Sequence, residues 1–267
     1  MTGPEQPSGA SLETLRAEID KIDAEIHDRL MARASIVQAL GDWKRQNGQA
    51  AGAYFHPGRE ARILRTLAAR HGGPLPVTAV LALWRTLVSA YLRLQWPFQV
   101  VVADDAATRD LARQHFGAAT PVATAADPLA ALAANEETLA VMPDVADGSG
   151  WWCAAPFLSR TGPRIVARLP FFGEGNGPAA YVVARHGADA SGDDVTLAVV
   201  AGGKAPQAPG LELSLLATYK APGGGTCHLV ALDGHLSEDA AVLQALRASG
   251  EVHIVGGYAR PLTLPRA

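Results

Sequence analysis

The sequence predicts a multi-domain chain: an all-α domain of three helices, then an α/β region that ends in a smaller α+β unit. Three observations carry this. The stretch from Ser11 to Gln46 contains no proline and repeats apolar residues at steps of three, four or seven. Two more stripes with helical spacing follow before Pro97. From Phe98 onward, short β-branched runs alternate with helical segments, as in α/β folds. A length of 267 residues accommodates more than one domain. The expected division is a disordered tail over 1–10, a helical domain over 11–97, an α/β domain over 98–192 and an α+β unit over 193–267.

In the first helix the stripe is Leu12, Leu15, Ile19, Ile22, Ile26, Leu30, Val37 and Leu40. Ser11 suits the N-cap, and Glu13 and Glu18 place acid near the positive end of the dipole. At 1.5 Å per residue the helix is a rod of roughly 50 Å. A small domain cannot cover both ends of such a rod, which predicts a partner, most simply a second copy of the chain. Two cations interrupt the stripe. Arg33 stands where an apolar residue is expected, and Lys44 follows eleven residues later, a step that returns to the same helix face. Paired positive charges on an inward face are costly unless an anion meets them. Arg16 lies roughly 25 Å from Arg33 along the axis, so it is placed to serve the equivalent site of an antiparallel partner.

Pro57 suits the first turn of a second helix that stops at Gly72-Gly73. Its stripe includes Glu60, beside Arg59. The third helix starts after Pro74–Pro76 and is ended by Pro97; its buried side carries Tyr91 and, one turn on, Gln95. Polar groups thus interrupt the apolar faces of three successive helices, which predicts a ligand pocket within a bundle. The set offers no nucleophile–base pair, metal-ligand cluster or phosphate loop. It suits chemistry done by positioning and electrostatics, with no cofactor and no metal.

Beyond Phe98, FQVVVAD, TLAVMP, RIVARLP and AYVVAR read as strands, with helices over Ala106–His115 and Asp127–Asn135. GEGNGP is glycine-rich but lacks the residues of a phosphate loop and reads as a surface turn. Strands near 195–200, 211–219 and 226–232, a helix near 237–248 and a last strand EVHIVGGY complete the chain. Arg160, Arg164, Arg168 and Arg185 read as scattered solvated charge rather than an anion patch.

Net charge is −3, but residues 11–97 hold 12 Lys/Arg against 8 Asp/Glu, while the remainder holds 11 against 18. The helical part therefore suits an anionic ligand. Its basic residues are not massed as nucleic-acid binding requires. No apolar run approaches a membrane span, and the N-terminus lacks a signal-peptide core, which points to the cytoplasm. The two cysteines, Cys153 and Cys227, read as isolated free thiols.

The first third resembles the all-helical class of chorismate mutase. LRAEID carries Arg16, MARASIVQALGDWK carries Arg33 and Lys44 at the family spacing, HPGRE carries Arg59 and Glu60, and the third helix carries Gln95. His56 stands where the family often has an acid, and Tyr91 where a serine is usual. The resemblance implies an intertwined homodimer and a Claisen rearrangement of chorismate to prephenate. Arg33, with Arg16 of the other subunit, would clamp the two carboxylates. Lys44 and Gln95 would donate to the ether oxygen, and Glu60 would accept from the ring hydroxyl. His56, Arg59 and Tyr91 would complete the substrate pocket. Isochorismate–pyruvate lyase uses similar charges on a similar fold and is the alternative chemistry. A regulatory protein with a vestigial mutase domain is the non-catalytic alternative.

The remainder resembles prephenate dehydratase followed by an ACT domain, through ALAANEETLAVMPDV and VHIVGGYARP. Residues 98–192 are about half as long as two dehydratase lobes need, and the dehydratase and phenylalanine-binding motifs are missing. This implies a structural or regulatory region without dehydratase catalysis.

Overall fold

The computed structural model describes residues 11–49, 54–146, 149–173, 177–202, 205–206, 213–221 and 224–264. The expected tail over 1–10 and most of the joint after Ala201 lie outside them. The chain divides into two compact units, residues 1–49 and 50–267.

The first unit is one helix, α1 (Leu12–Gln46), 35 residues long. Ser11 caps it, its Oγ accepting from the Thr14 N–H at 3.2 Å. Asn47 closes it, with its side-chain amide donating to the Trp43 carbonyl at 2.7 Å. The start and stop agree with the sequence expectation because both rest on local capping chemistry.

The second unit begins with α2 (Pro57–Arg70) and α3 (Val77–Gln95). An α/β region follows: β1 (Gln99–Val102), α4 (Ala106–Phe116), β2 (Val122–Thr124), α5 (Pro128–Ala134) and β3 (Thr138–Pro143). A 3-10 turn over Trp151–Cys153, α6 (Ala155–Leu158), β4 (Arg164–Leu169), β5 (Phe172–Gly173) and β6 (Ala180–Ala184) come next. The chain ends with β7 (Asp194–Ala201), β8 (Leu213–Lys220), β9 (Thr226–Asp233), α7 (Ala241–Leu246), β10 (Glu251–Ala259) and β11 (Leu262–Thr263). Every strand longer than three residues is one that the hydrophobic pattern predicts. The three-residue β2 and the two-residue β5 and β11 are too short to leave a period in the sequence.

Two expected boundaries are not where the structure divides. The first is 97/98. α2 and α3 share cores with the α/β region: Tyr54, Phe55, Leu92 and Trp96 pack with Phe98, Val100 and Phe116, and Ala61, Leu64 and Leu81 pack with Phe171 and Ala259. Leu64 and Leu81 are 1% and 0% exposed; each such side chain contributes about 1.5–3 kcal/mol of burial. The second is 192/193. Nine strands form one mixed sheet in the order β2-β1-β3-β6-β4-β10-β7-β9-β8. β4 joins the α/β strands to the α+β strands through a parallel pairing with β10, Ile165 opposite Gly256. Gly256 has φ +139°, and a Cβ there would meet the Ile165 carbonyl oxygen at 2.1 Å. Only glycine allows that approach. The expected separate domains are therefore one continuous sheet.

Two smaller expectations are also corrected. α3 is long and apolar enough to cross a membrane by length and composition, yet it packs on α2 and α4 and carries the buried Arg85. The cysteines are free but not isolated. Cys153 and Cys227 meet side chain to side chain, and burial first, then the bond to Cys227, pushes the Cys153 thiol up to about 12.

Candidate active site

The polar residues singled out in the sequence fall into two groups, one in each unit. On α1 the more sheltered positions are Leu30, Arg33, Ala34, Val37, Gly41 and Lys44. Their steps of three and four define one face. Arg33 and Lys44 therefore share a face, as the eleven-residue step requires, and both are half-buried. The Arg33 Nη1 atom is shielded from solvent. Arg16 is exposed near the opposite end of the helix. Asp42 pairs with Arg45, and both side chains are exposed.

In the second unit the group is organised by the start of α2. His56 is its N-cap but makes no side-chain capping bond. The acid comes instead from a distant part of the chain. The Gly58 and Arg59 N–H groups donate to the two carboxylate oxygens of Asp189 at 2.9 and 3.0 Å. This is a charge-assisted cap on the positive end of the helix dipole. Gly58 is required there, since a Cβ would meet the Asp189 carbonyl oxygen at 2.1 Å. Arg65 extends the docking, donating to Ser191 Oγ at 2.9 Å and to the Asp193 and Arg260 carbonyls at 2.8 and 2.9 Å.

Glu60 points inward, as its place in the stripe predicts, and is 8% exposed. Arg85 Nη1 donates to Glu60 Oε2 at 2.7 Å. The same guanidinium donates to the His115 carbonyl at 3.2 Å and to Ser89 Oγ at 3.3 Å. Burial first, and the Arg85 charge second, hold the pKa of His115 well below its ordinary value, so the ring is neutral. Glu60, Arg85, His115 and Arg168 line a cavity of only about 20 Å³. Arg59 is exposed. Tyr91 is buried on α3, and Gln95, one turn on, is half-buried with its Oε1 shielded from solvent.

Arg85 and Asp189 were not singled out in the sequence. Arg85 had a signal: it follows Leu81 by four and precedes Val88 by three, a cation on an apolar stripe like Arg33. Asp189 had none, because its partners are 130 and 131 residues away.

Comparison with known proteins places the first third. Residues 15–96 match the family model for chorismate mutase type II. A bifunctional chorismate mutase/prephenate dehydratase from Neisseria gonorrhoeae is 35% identical over 104 residues, covering 38% of this chain and 27% of that protein. A protein of the same description from Pseudomonas aeruginosa is 30% identical over 140 residues, covering 49% of this chain and 38% of that protein. The chain thus spans less than two fifths of the length of these relatives. A solved prephenate dehydratase from Arthrobacter aurescens, in complex with L-Phe, aligns over 63% of this chain and 92% of its own at 14% identity and a TM-score of 0.42. Over its N-terminal third the chain is thus similar to chorismate mutase type II.

Proposed function

We propose that the chain is a chorismate mutase that rearranges chorismate to prephenate without a cofactor or a metal, working as a homodimer. The observation that carries this reading is the placement of Arg33 and Lys44 on one sheltered face of α1 within a segment that matches the family model. Chorismate carries two carboxylates and must bend before its rearrangement. Guanidinium groups from Arg33, and from Arg16 of a second copy, hold the carboxylates and so select the reactive conformer. As the C–O bond breaks, negative charge grows on the ether oxygen, where Lys44 and the Gln95 amide donate.

In this reading Glu60 is the acceptor for the ring hydroxyl: Arg85 holds one of its carboxylate oxygens, and the cavity of about 20 Å³ beside it has to widen to admit the ring. Arg59, His56 and Tyr91 border the substrate. The exposed apolar stripe of α1 supports the dimer: Leu12, Ile19, Ile22 and Ile26 are each more than half exposed. Covering that stripe with a second copy brings apolar area out of water.

Dehydratase activity is not part of this reading, because the dehydratase motifs are missing from the sequence. The test is a spectrophotometric assay of the purified chain with chorismate, with prephenate, phenylpyruvate and, from isochorismate, pyruvate measured in parallel. Prephenate alone is the expected product. Pyruvate from isochorismate with no prephenate from chorismate would replace the reading with the lyase. Phenylpyruvate would restore the dehydratase.

A further inference from the structure

We propose that the α/β region carries a second ligand site, a groove in which Arg160, Arg164 and Arg185 bind a small organic dianion with an apolar body. The four basic residues that read as scattered charge in the sequence are sorted by the fold. Arg168 lies apart, beside Glu60 and Arg85. The other three line one cavity of about 550 Å³, together with His186 and His235 and with no carboxylate among its lining residues.

Arg160 and Arg164 also line an adjoining cavity that holds Glu238 and Glu251, but neither acid forms an ion pair with them among the described residues. Among the described residues, no ion pair includes Arg160, Arg164 or Arg185. Arg164 instead donates to the Gly162 and Pro163 carbonyls at 3.1 and 2.9 Å, and to those of Ser159 and Arg160 at 2.8 and 2.9 Å. That clamps the turn on which Arg160 sits. Gly162 makes the turn possible, since a Cβ there would meet the Pro156 carbonyl oxygen at 1.7 Å. Arg185 donates to the Ala133 carbonyl at 2.7 Å, while its Nε is shielded from solvent without a partner among the described residues. Carbonyls orient a guanidinium but leave its charge in place. Burial lowers the pKa of Arg164, an effect that the charge of Glu238 opposes less strongly. Three such groups around one cavity repel each other, and an anion with two charges relieves the cost of all three.

The apolar half of the ligand follows from the neighbouring cavity. It measures about 750 Å³ and shares Thr161, Arg185 and His186 with the cationic one. Leu129, Leu132, Ala154 and Pro156 are among its walls. Its two acids, Asp127 and Glu136, do not line the cationic cavity, and Asp127 is occupied as the cap of α5. The two chambers together fit an apolar group joined to a doubly charged head, with the head beside Arg185. A phosphate monoester and a dicarboxylate share that chemistry.

Isothermal titration calorimetry of the full chain tests this with phenyl phosphate, phenylmalonate and inorganic phosphate. Saturable binding of at least one aryl dianion is expected, about tenfold or more tighter than inorganic phosphate, with Arg160→Ala and Arg185→Gln each weakening it by about tenfold. Which aryl compound binds more tightly identifies the head group. Arg160 is exposed and its side chain holds no described element, so Arg160→Ala tests the site without unfolding it. Absence of saturable binding by both aryl dianions overturns the proposal. So does binding that Arg160→Ala leaves unchanged, which would put the ligand elsewhere, or inorganic phosphate binding as tightly as the aryl compounds.

Discussion

Two of the three N-terminal helices bury their apolar faces within their own compact unit, while the first leaves most of its stripe exposed. α2 and α3 place Ala61, Leu64, Leu81 and Leu92 in cores shared with the sheet. α1 exposes Leu12, Ile19, Ile22 and Ile26 by 63%, 57%, 54% and 51%. All three match one family model, yet they differ in what satisfies them. The second and third belong to the α/β unit, locked by a buried ion pair and by Asp189. The first carries the two cations of the proposed site, and most of its apolar stripe is exposed. Damage to α2–α3 should therefore cost stability. Damage to α1 should cost assembly and turnover while the second unit stays folded.

The largest expected effect comes from Arg85→Leu. It leaves Glu60 buried without its partner, a change that costs about 3–5 kcal/mol. Denaturant unfolding measures it, and a loss below about 1 kcal/mol would mean that the pair is not what anchors α2 to α3. Next is Lys44→Ala, for which the hypothesis of ether-oxygen stabilisation predicts a fall in kcat of roughly 100- to 1,000-fold. The unfolding midpoint should not move, and near-normal turnover in this variant would remove Lys44 from the mechanism.

Ile22→Asp should weaken dimerisation by about 1.5–3 kcal/mol for each copy, as burial of one aliphatic side chain is lost. Sedimentation velocity reads this directly, and an unchanged dimer would show that the stripe is not the interface.

The smallest effect is a pH dependence. Because His115 is held neutral by burial, the unfolded chain binds a proton there more readily than the folded one. Its contribution to stability is thus complete above the ordinary value of 6.5 and is lost as pH falls below it toward the lowered folded pKa. His115→Phe should flatten the fall in unfolding midpoint between about pH 7 and pH 5. An unaltered profile would assign that fall to other groups.

The helices, the longer strands and the shared face of Arg33 and Lys44 were legible in the sequence. Each depends on residues a few positions apart, through caps such as Ser11, proline starts such as Pro57 and periods of 3.6 or 2. The sheltered placement of Arg33, Lys44 and Glu60 was legible for the same reason. Glu60 was recognisable as inward, but not as the partner of Arg85, because an ion pair between two helices leaves no local period.

The amino-acid order alone determined which segments become helix or strand and which of their faces are apolar, since backbone propensity and side-chain period are short-range. Only the tertiary structure decided that α2 and α3 join the sheet, that β4 and β10 fuse two expected domains at Gly256, and that three of four arginines gather on one groove. Those outcomes rest on contacts between distant segments, such as Asp189 with Gly58. In them, burial and charge are settled by what each side chain meets in space rather than by what adjoins it along the chain.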